Sequence, residues 1–423
     1  MGKKWLFHAT DFQTLMYPCF TMCRVLGAFP YKINNSIFAV SKLYYILSVA
    51  IISTLCIVEL ENFYDFNVFT KIKFEIVTSS FENNCFIILT TSMIIVTFVF
   101  SRPRMRLLQT IMEISVKISP QSYQKLSRLI HTKDIFGSLY LTSILLTYIY
   151  VQRIAMLHMI FAIYKTLFIC QIDMLYVNCV CILKACFKEI DINLLCIKKL
   201  IVNDKLHVPK TIYYKQKNPF LIIKLKTIKK QHLIISNTVK VLNVIFSLHL
   251  LLTITFTFIA IILGLYLHLL RWHDEFGIVV IDKNGYFTFF TSIVYEIIKM
   301  TLFVWICETG KNQAQNIGTT IHDVLNNTKD QQIKDELQLF SLQVLHLDNT
   351  FSAKGFNVDA TFFASVSNLL ALINKTYLVN FFILLSDDRY HNNIYVHFTT
   401  IFYHITFLRW KVENQYYISI VIS

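Results

Sequence analysis

Long apolar runs are the feature that most constrains how this chain can fold. Seven of them stand out, at residues 43–58, 85–100, 135–151, 166–183, 244–270, 287–307 and 360–385. A helix needs about 20 mainly apolar residues to cross a bilayer, and polar flanking residues extend the two shortest runs to that length. The sequence therefore predicts an all-α membrane protein with seven transmembrane helices.

Composition agrees with this fold class. Hydrophobic residues make up 55% of the 423 residues and charged residues only 16%. The low content of glycine and proline, 9 and 6 residues, favours long helices. A net charge of +14 would suit nucleic-acid binding, but the basic residues lie between the apolar runs and form no aromatic-lined stripe. We therefore expect a lipid bilayer, and no nucleic acid, as a partner.

The basic residues also orient the helices, because lysine and arginine are retained on the cytoplasmic side of a membrane. They number 5, 7, 13 and 4 in segments 1–42, 101–134, 184–242 and 308–358, but only 2 in each of segments 59–82, 152–165 and 271–286. This alternation predicts a multi-pass protein of the plasma membrane. Its amino terminus lies inside and the end of its seventh span lies outside.

The chain divides into three segments. Residues 1–42 form a cytoplasmic amino-terminal segment without the apolar core of a signal peptide, 43–385 form one membrane domain, and 386–423 form an atypical carboxyl-terminal tail. Two cytoplasmic stretches, 221–243 and 320–345, carry apolar residues at helical spacing. Since an amphipathic face needs an apolar partner, we expect these stretches to form a cytoplasmic helical bundle that joins subunits.

The sequence indicates no enzyme, cofactor or metal site. It lacks the GxSxG, HExxH, Walker and CxxC patterns. Its ten cysteines are spread over spans and cytoplasmic segments, which favours reduced structural thiols. His249 and His268 lie in the fifth span, where a single histidine more often hydrogen-bonds a neighbouring helix than binds a metal ion. No catalytic residue is therefore assigned.

Polar residues inside the apolar runs are the main candidates for a functional site, because charge in a bilayer is costly and usually faces a cavity or a partner helix. The fourth and sixth spans contain them: Gln171, Asp173, Asn178, Glu296 and Lys299. The last two are three residues apart, a spacing that allows an ion pair on one helix. A contact between helices is the favoured interpretation of all five, and contact with a ligand is the alternative.

Two other groups of residues have both a functional and a plain structural interpretation. Four tyrosines either line a small-molecule cavity or anchor the helices at the membrane interface: Tyr140, Tyr148, Tyr150 and Tyr164. The acidic first outer connection either concentrates cations at a pore mouth or is a solvated loop, which we favour. Its carboxylates are Glu59, Glu61, Asp65, Glu75 and Glu82.

The last span contains the most specific pattern, Thr376-Tyr377 followed by five residues that include Asn380. With a cytoplasmic amino terminus and seven spans, this pattern resembles the insect gustatory receptor family, whose last span typically reads Thr-Tyr, five mostly apolar residues, then Gln-Phe. The preceding segment is similar to that family as well. It contributes Phe351, Gly355, Phe356 and Asp359. The resemblance covers residues 40–385, and its specific part lies in the last hundred of these.

The resemblance implies a ligand-gated cation channel that detects a tastant or another small molecule in sensory neurons. Members of the family are understood to form homo- or heterotetramers with other gustatory receptors, with the seventh spans around the pore and the cytoplasmic helices in the subunit contacts. Thr376, Tyr377 and Asn380 would then belong to the pore helix. The ligand pocket would open outward among the other six spans.

The chain departs from the family pattern at the expected pore constriction. Ile383 and Leu384 stand where the family has Gln-Phe, so the constriction would be apolar and would close by dewetting. The tail 386–423 also continues beyond the usual family end, and we interpret it as a gene-model artefact. Finding this tail in the mature transcript would contradict that interpretation.

Alternative functions remain open at this point. An insect odorant receptor subunit would share the topology but usually has a different last-span pattern. A multi-span transporter would suit the charged fourth and sixth spans, although the broken helices and repeats typical of transporters are not visible. A membrane enzyme would need a catalytic cluster at a membrane face, and a nonfunctional remnant would retain the fold only through the sixth span.

Overall fold

The computed structural model describes residues 7–34, 37–68, 74–151, 156–207, 219–275, 283–353 and 356–357. These residues form nine helices and two small antiparallel strand pairs. The helices are α1 (Phe12–Val25), α2 (Lys42–Val68), α3 (Phe74–Val99), α4 (Ser101–Ser115), α5 (Pro120–Val151), α6 (Met156–His207), α7 (Pro219–Glu275), α8 (Lys283–Asn327) and α9 (Gln331–His346). The strands are β1 (Tyr31–Asn34) paired with β2 (Ile37–Val40), and β3 (Ser352–Ala353) paired with β4 (Phe356–Asn357).

The predicted helical class is therefore confirmed, while the number of spans remains a prediction. Five of the seven apolar runs lie within α2, α5, α6, α7 and α8, and the run 85–100 lies in α3 except for its last residue. Among the described residues, three helices are long and apolar enough to cross a membrane, at Lys42–Tyr64, Met159–Val202 and Pro219–Leu263. Helices α3 and α4, which meet at a bend of 60°, become a fourth candidate if they are one broken span. The seventh run and the tail lie outside the described residues.

Helix α6 forms the centre of the described fold. It packs against α1, α3, α4, α5, α7 and α8. Consecutive side chains from Leu175 to Leu183 are all buried, which is what a helix apolar on every side requires. The main hydrophobic core is built around this helix.

The amino-terminal segment contributes to the same core. Asp11 caps α1 by accepting a hydrogen bond from the Thr14 backbone N–H at 2.8 Å, and Thr14 Oγ1 accepts one from the Asp11 N–H at 3.3 Å. Leu15, Met16 and Phe20 are then buried. Neither α1 nor the β1–β2 hairpin was predicted within residues 1–42. The helical spacing of α1 was present in the sequence and was missed, as its buried residues show: Phe12, Leu15, Met16, Cys19, Phe20 and Cys23. The four-residue strands are too short to produce a strong periodic signal.

The first amphipathic stretch is helical, as predicted, whereas the second is divided between the end of α8 and α9 by a break at residues 328–330. Residues 221–243 belong to α7, which continues without a break into the fifth apolar run. Helix α9 begins at the capping residue Asp330 and packs against α7 and α8. Lys229 of α7 forms an ion pair with Glu336 of α9 at 2.6 Å, and the Gln343 side chain of α9 donates to the Lys229 carbonyl at 3.0 Å. The three helices thus form one packed bundle.

The expectation of a solvated loop at residues 59–82 was wrong, because α2 continues to Val68 and α3 begins at Phe74, so all five of its carboxylates lie on helices. The Glu59 side chain is buried and forms an ion pair with Lys165 of α6 at 2.9 Å. A carboxylate in this position needs such a partner because an isolated buried charge is costly. Glu59 therefore ties α2 to the central helix.

Candidate functional site

Asp173 of α6 is the centre of a buried polar cluster. Its carboxylate is fully buried, and Oδ1 lies 3.0 Å from Nε2 of His249 and 3.2 Å from the hydroxyl of Thr253, both on α7. An ionised carboxylate only accepts hydrogen bonds, so Nε2 of His249 carries the proton and donates it. His249 therefore bonds a neighbouring helix, as the sequence predicted.

The cluster extends from His249 to the bend between α3 and α4. The Thr97 hydroxyl of α3 lies 3.5 Å from Nδ1 of His249. The Thr97 carbonyl in turn accepts a hydrogen bond from Nη1 of Arg104 at 3.3 Å. Arg104 is fully buried in the first turn of α4, with its guanidinium 5.0 Å above the ring of Phe246. A continuous set of polar contacts thus joins α4, α3, α7 and α6.

Glu296 and Lys299 form the ion pair that their spacing predicted. Lys299 Nζ lies 2.6 Å from Glu296 Oε2, and both side chains are almost completely buried. The Thr257 hydroxyl of α7 donates to the same carboxylate oxygen at 2.7 Å. The ammonium also lies 5.5 Å from the ring of Tyr295 and 5.8 Å from that of Phe256, distances suited to cation–π attraction. Lys299 is therefore held between a carboxylate and two aromatic faces.

A small apolar cluster adjoins this ion pair between α5, α6 and α8. Leu141, Cys170 and Met174 are its buried members, and Tyr295 packs against them. The ring of Tyr140 stacks on Tyr295 with 6.2 Å between centroids. Lys299 also lies within electrostatic range of Asp173 and Cys170, so the ion pair, the apolar cluster and the Asp173 group are neighbours.

The other two polar candidates lie apart from this group. The Gln171 amide donates to the Cys19 carbonyl of α1 at 3.4 Å. The Asn178 amide donates to Asp134 of α5 at 3.1 Å. Both are contacts between helices, the interpretation that sequence analysis favoured.

The structure describes the side chains of two of the four candidate tyrosines and none of the pore candidates. Of the four tyrosines, Tyr140 stacks on Tyr295 beside the apolar cluster, whereas the Tyr164 hydroxyl donates to the Leu26 carbonyl. The side chains of Tyr148 and Tyr150 lie outside the described residues, as do the five pore candidates Thr376, Tyr377, Asn380, Ile383 and Leu384.

The segment after α9, which leads toward the predicted seventh span, is held against α7 and α8. The Asn243 amide of α7 donates to the Thr350 carbonyl at 2.8 Å, and its carbonyl oxygen accepts the Ser352 backbone N–H at 3.3 Å. Between these bonds, Phe351 is buried against Gly310 of α8, where an added Cβ would lie only 2.8 Å from the ring. Phe351 belongs to the pattern that the sequence showed, whereas Asn243 and Gly310 stand in no local pattern that identifies a contact over such a distance.

Solved structures share this fold. The olfactory receptor OR5 from Machilis hrabei matches with a TM-score of 0.67 and 10% identity, over 87% of this chain and 97% of that one. The same receptor in complex with eugenol matches with a TM-score of 0.60 and 11% identity, over 86% and 98% of the two chains. At these identities the likeness concerns the fold.

Sequence comparison identifies the family. A Drosophila melanogaster protein named "Putative gustatory receptor 28b" is 39% identical over 75 residues, which are 16% of this chain. The chain spans only 15% of the length of that relative. The family described as 7tm Chemosensory receptor matches residues 16–367, most of the chain. The protein therefore belongs to the 7tm chemosensory receptor family, whose members are receptors and not enzymes.

Proposed function

We propose that this chemosensory receptor is a gustatory receptor, a ligand-gated cation channel of the plasma membrane that responds to a tastant or another small molecule. The observation that carries the proposal is the 39% identity over 75 residues to a gustatory receptor. The Thr376-Tyr377 pair in the predicted seventh span supports it, because this pair is typical of gustatory receptors.

The ligand site that we propose lies beside Lys299. This position combines a fixed cation, a carboxylate at 2.6 Å and an adjoining apolar cluster with stacked tyrosines. Ligand sites typically have such a mainly apolar lining with a few fixed polar groups. The eugenol complex of the olfactory receptor OR5 shows that a protein of this fold binds a small aromatic molecule.

Ligand binding opens a channel only if the ligand has a higher affinity for the open state than for the closed state. We propose that α8 transmits this preference, because Glu296 and Lys299 and the Phe351 contact at Gly310 lie on that helix. Phe351 precedes the proposed pore helix with Thr376, Tyr377 and Asn380. Ile383 and Leu384 would form an apolar constriction that closes by dewetting.

Whole-cell current recorded under a panel of tastants tests this proposal. The chain as written, a version truncated after residue 385, and a version that also carries Ile383→Gln and Leu384→Phe are expressed and compared. A ligand-evoked cation current from any of them supports the channel. If none conducts, although each reaches the cell surface and a co-expressed gustatory receptor is present, the channel proposal is wrong.

A matched pair of lysine variants tests the proposed ligand site. Lys299→Met and Lys311→Met each remove the lysine of an i,i+3 ion pair on α8, but only Lys299 is buried beside the apolar cluster. We expect Lys299→Met to raise the half-maximal ligand concentration about tenfold or more, because the fixed cation is lost. Lys311→Met should leave it unchanged. Equal ligand responses from both variants at equal surface expression would exclude the Lys299 site.

An odorant receptor subunit is the second candidate, favoured by the fold likeness to OR5 over 97% of that chain. The same recordings separate the two functions when the panel includes volatile odorants and when an odorant co-receptor is supplied in a parallel arm. A response that needs that co-receptor favours the odorant role. A response to soluble tastants without it favours the gustatory role.

A further inference from the structure

A cavity of about 190 Å³ lies between α4, α6 and α7, and its lining shares no residue with the buried polar cluster. Much of this lining is apolar and buried, with Cys186, Ile190 and Ile235 among its members. An apolar protein cavity of about 150 Å³ is large enough to bind benzene. The cavity can therefore hold a chemical group about the size of one aromatic ring.

Two carboxylates also line this cavity. Oε2 of Glu189 is buried and has no hydrogen-bond partner among the described residues. Buried polar atoms are nearly always paired, so an oxygen of this kind needs an N–H or O–H donor. Glu113 lines the cavity in a more exposed position, where its Oε1 accepts a hydrogen bond from the Gln109 amide at 2.8 Å. Lys117 is the one lysine of the lining, and its side chain is exposed.

We propose that this cavity binds a small organic cation, a primary ammonium group attached to an apolar group of about ring size. The ammonium pairs with the carboxylate of Glu189, which lines the cavity, and the negative charge of Glu113 adds to the attraction. The apolar group packs against Ile190 and Ile235 and leaves water, which is favourable. The lining contains two carboxylates, Glu113 and Glu189, and one exposed lysine, Lys117. This balance of charge favours binding of a cation over an anion. This site is separate from the one beside Lys299, and its occupation does not depend on channel activity.

Fluorine NMR of three ring compounds tests the proposal on the purified full chain in phosphatidylcholine nanodiscs. 4-Fluorobenzylamine carries the ammonium, 4-fluorobenzyl alcohol is its neutral counterpart, and 4-fluorobenzoate is the anion. We expect the amine to bind about tenfold or more tightly than the alcohol, because a hydrogen bond to an ionised group is stronger than a neutral one. Benzoate should bind most weakly. Equal binding of amine and alcohol, or no binding of the amine, would overturn the proposal.

Two isosteric variants locate the binding site. Glu189→Gln removes the charge at the unpaired oxygen, whereas Glu308→Gln changes a glutamate of α8 that does not line the cavity and lies 3.9 Å from Lys311. We expect Glu189→Gln to reduce amine affinity to that of the alcohol, and Glu308→Gln to have no effect. If both leave amine affinity unchanged, the amine binds elsewhere and the assignment is wrong. Thermal melts verify that each variant is folded.

A further variant keeps the test decisive if Glu189→Gln does not fold. Ile234 lines the cavity and is partly exposed, so Ile234→Trp can fill the space without disturbing a fully buried position. It should reduce binding of both the amine and the alcohol, whereas continued amine binding would contradict the site. Adding phosphatidylethanolamine to the nanodiscs distinguishes two sources of the ammonium. If phosphatidylethanolamine competes with the amine, the ammonium that occupies the cavity belongs to a lipid headgroup. If it does not compete, the ammonium belongs to a free amine.

Discussion

At the scale of single residues, Gly310 marks the closest contact, among the glycines that the structure describes, that depends on the absence of a side chain. An added Cβ would lie 2.8 Å from the Phe351 ring and 3.5 Å from Val180 Cγ1. Phe351 is itself buried and fixed between the two hydrogen bonds to Asn243. The Phe351 ring therefore cannot easily move away from an added Cβ at position 310. The close contact between α8 and the segment after α9 requires glycine.

A pair of glycine variants on α8 measures this requirement. Gly310→Ala should destabilise the protein by about 1–3 kcal/mol, because an overpacked site shifts its neighbours. Gly318→Ala has its nearest neighbour at 3.7 Å, so it should be neutral or stabilising by up to about 1 kcal/mol through helix propensity. Thermal melting in detergent reports both changes. Equal melting temperatures for the two variants would contradict the tight contact.

Replacement of Asp173 should also destabilise the protein strongly. Asp173→Ala leaves the His249 N–H and the Thr253 hydroxyl without their acceptor inside the core, and we expect a destabilisation of about 3 kcal/mol. Asp323 provides a control, because its ion pair with Lys198 lies at the surface and is worth about 0–1 kcal/mol. Asp323→Ala should melt close to the wild type. A wild-type melting temperature for Asp173→Ala would show that these contacts contribute little.

At the scale of helices, α7 and α9 are joined by a carboxylate that two lysines share. Glu336 lies 2.6 Å from Lys229 and 3.4 Å from Lys226. The hydrogen bond from Lys229, with the charges of both lysines, lowers the pKa of Glu336 below its ordinary value. Because the folded pKa is below the unfolded one, this contribution is present above the unfolded pKa. It is lost as the pH falls through the folded value.

The stability of the α7–α9 contact should therefore decrease in acid. We expect the melting temperature of the wild type to fall between about pH 5 and pH 3 more steeply than that of Glu336→Gln, which has no carboxylate to protonate at this position. Glu113→Gln, at an exposed glutamate that accepts from Gln109, serves as the control and should follow the wild type. Parallel pH profiles for wild type and Glu336→Gln would argue against a stabilising role of this pair.

At the scale of the whole molecule, α9 has an apolar stripe that the described part of the chain leaves exposed. Leu339, Leu342 and Leu345 are exposed, whereas Ile333 and Phe340 on the same helix are buried. An amphipathic bundle with a second apolar face needs a partner when it lies outside the membrane. The resemblance to gustatory receptors implies that the cytoplasmic helices join subunits. We propose that this leucine stripe contacts a neighbouring subunit of a tetramer.

Charge placed on this leucine stripe should dissociate the proposed tetramer. Leu342→Glu combined with Leu345→Glu buries two carboxylates in the proposed interface, which favours the monomer. Gln332→Glu adds a charge to an exposed position at the start of the same helix and should keep the assembly intact. Light scattering of the purified proteins gives the mass of each. If the wild type is monomeric, or if the double variant remains tetrameric, the leucine stripe is not the subunit interface.

Features that depend on residues close together in the sequence were predictable without the tertiary structure. The apolar runs predicted the helices that contain them, the amphipathic spacing predicted the extension of α7, and the i,i+3 spacing predicted the bond between Glu296 and Lys299. Each of these depends on helical geometry over a few turns. The predicted seventh span depends on the same kind of signal.

Contacts between distant helices were decided by packing alone. His249 pairs with Asp173 across 76 positions, Lys165 pairs with the supposed loop residue Glu59, and Phe351 occupies the space that Gly310 leaves. A buried polar group must find a partner, but its own neighbourhood in the sequence does not specify which helix face supplies it. The long helices therefore follow from local patterns, whereas the polar cluster exists only where their packed faces meet.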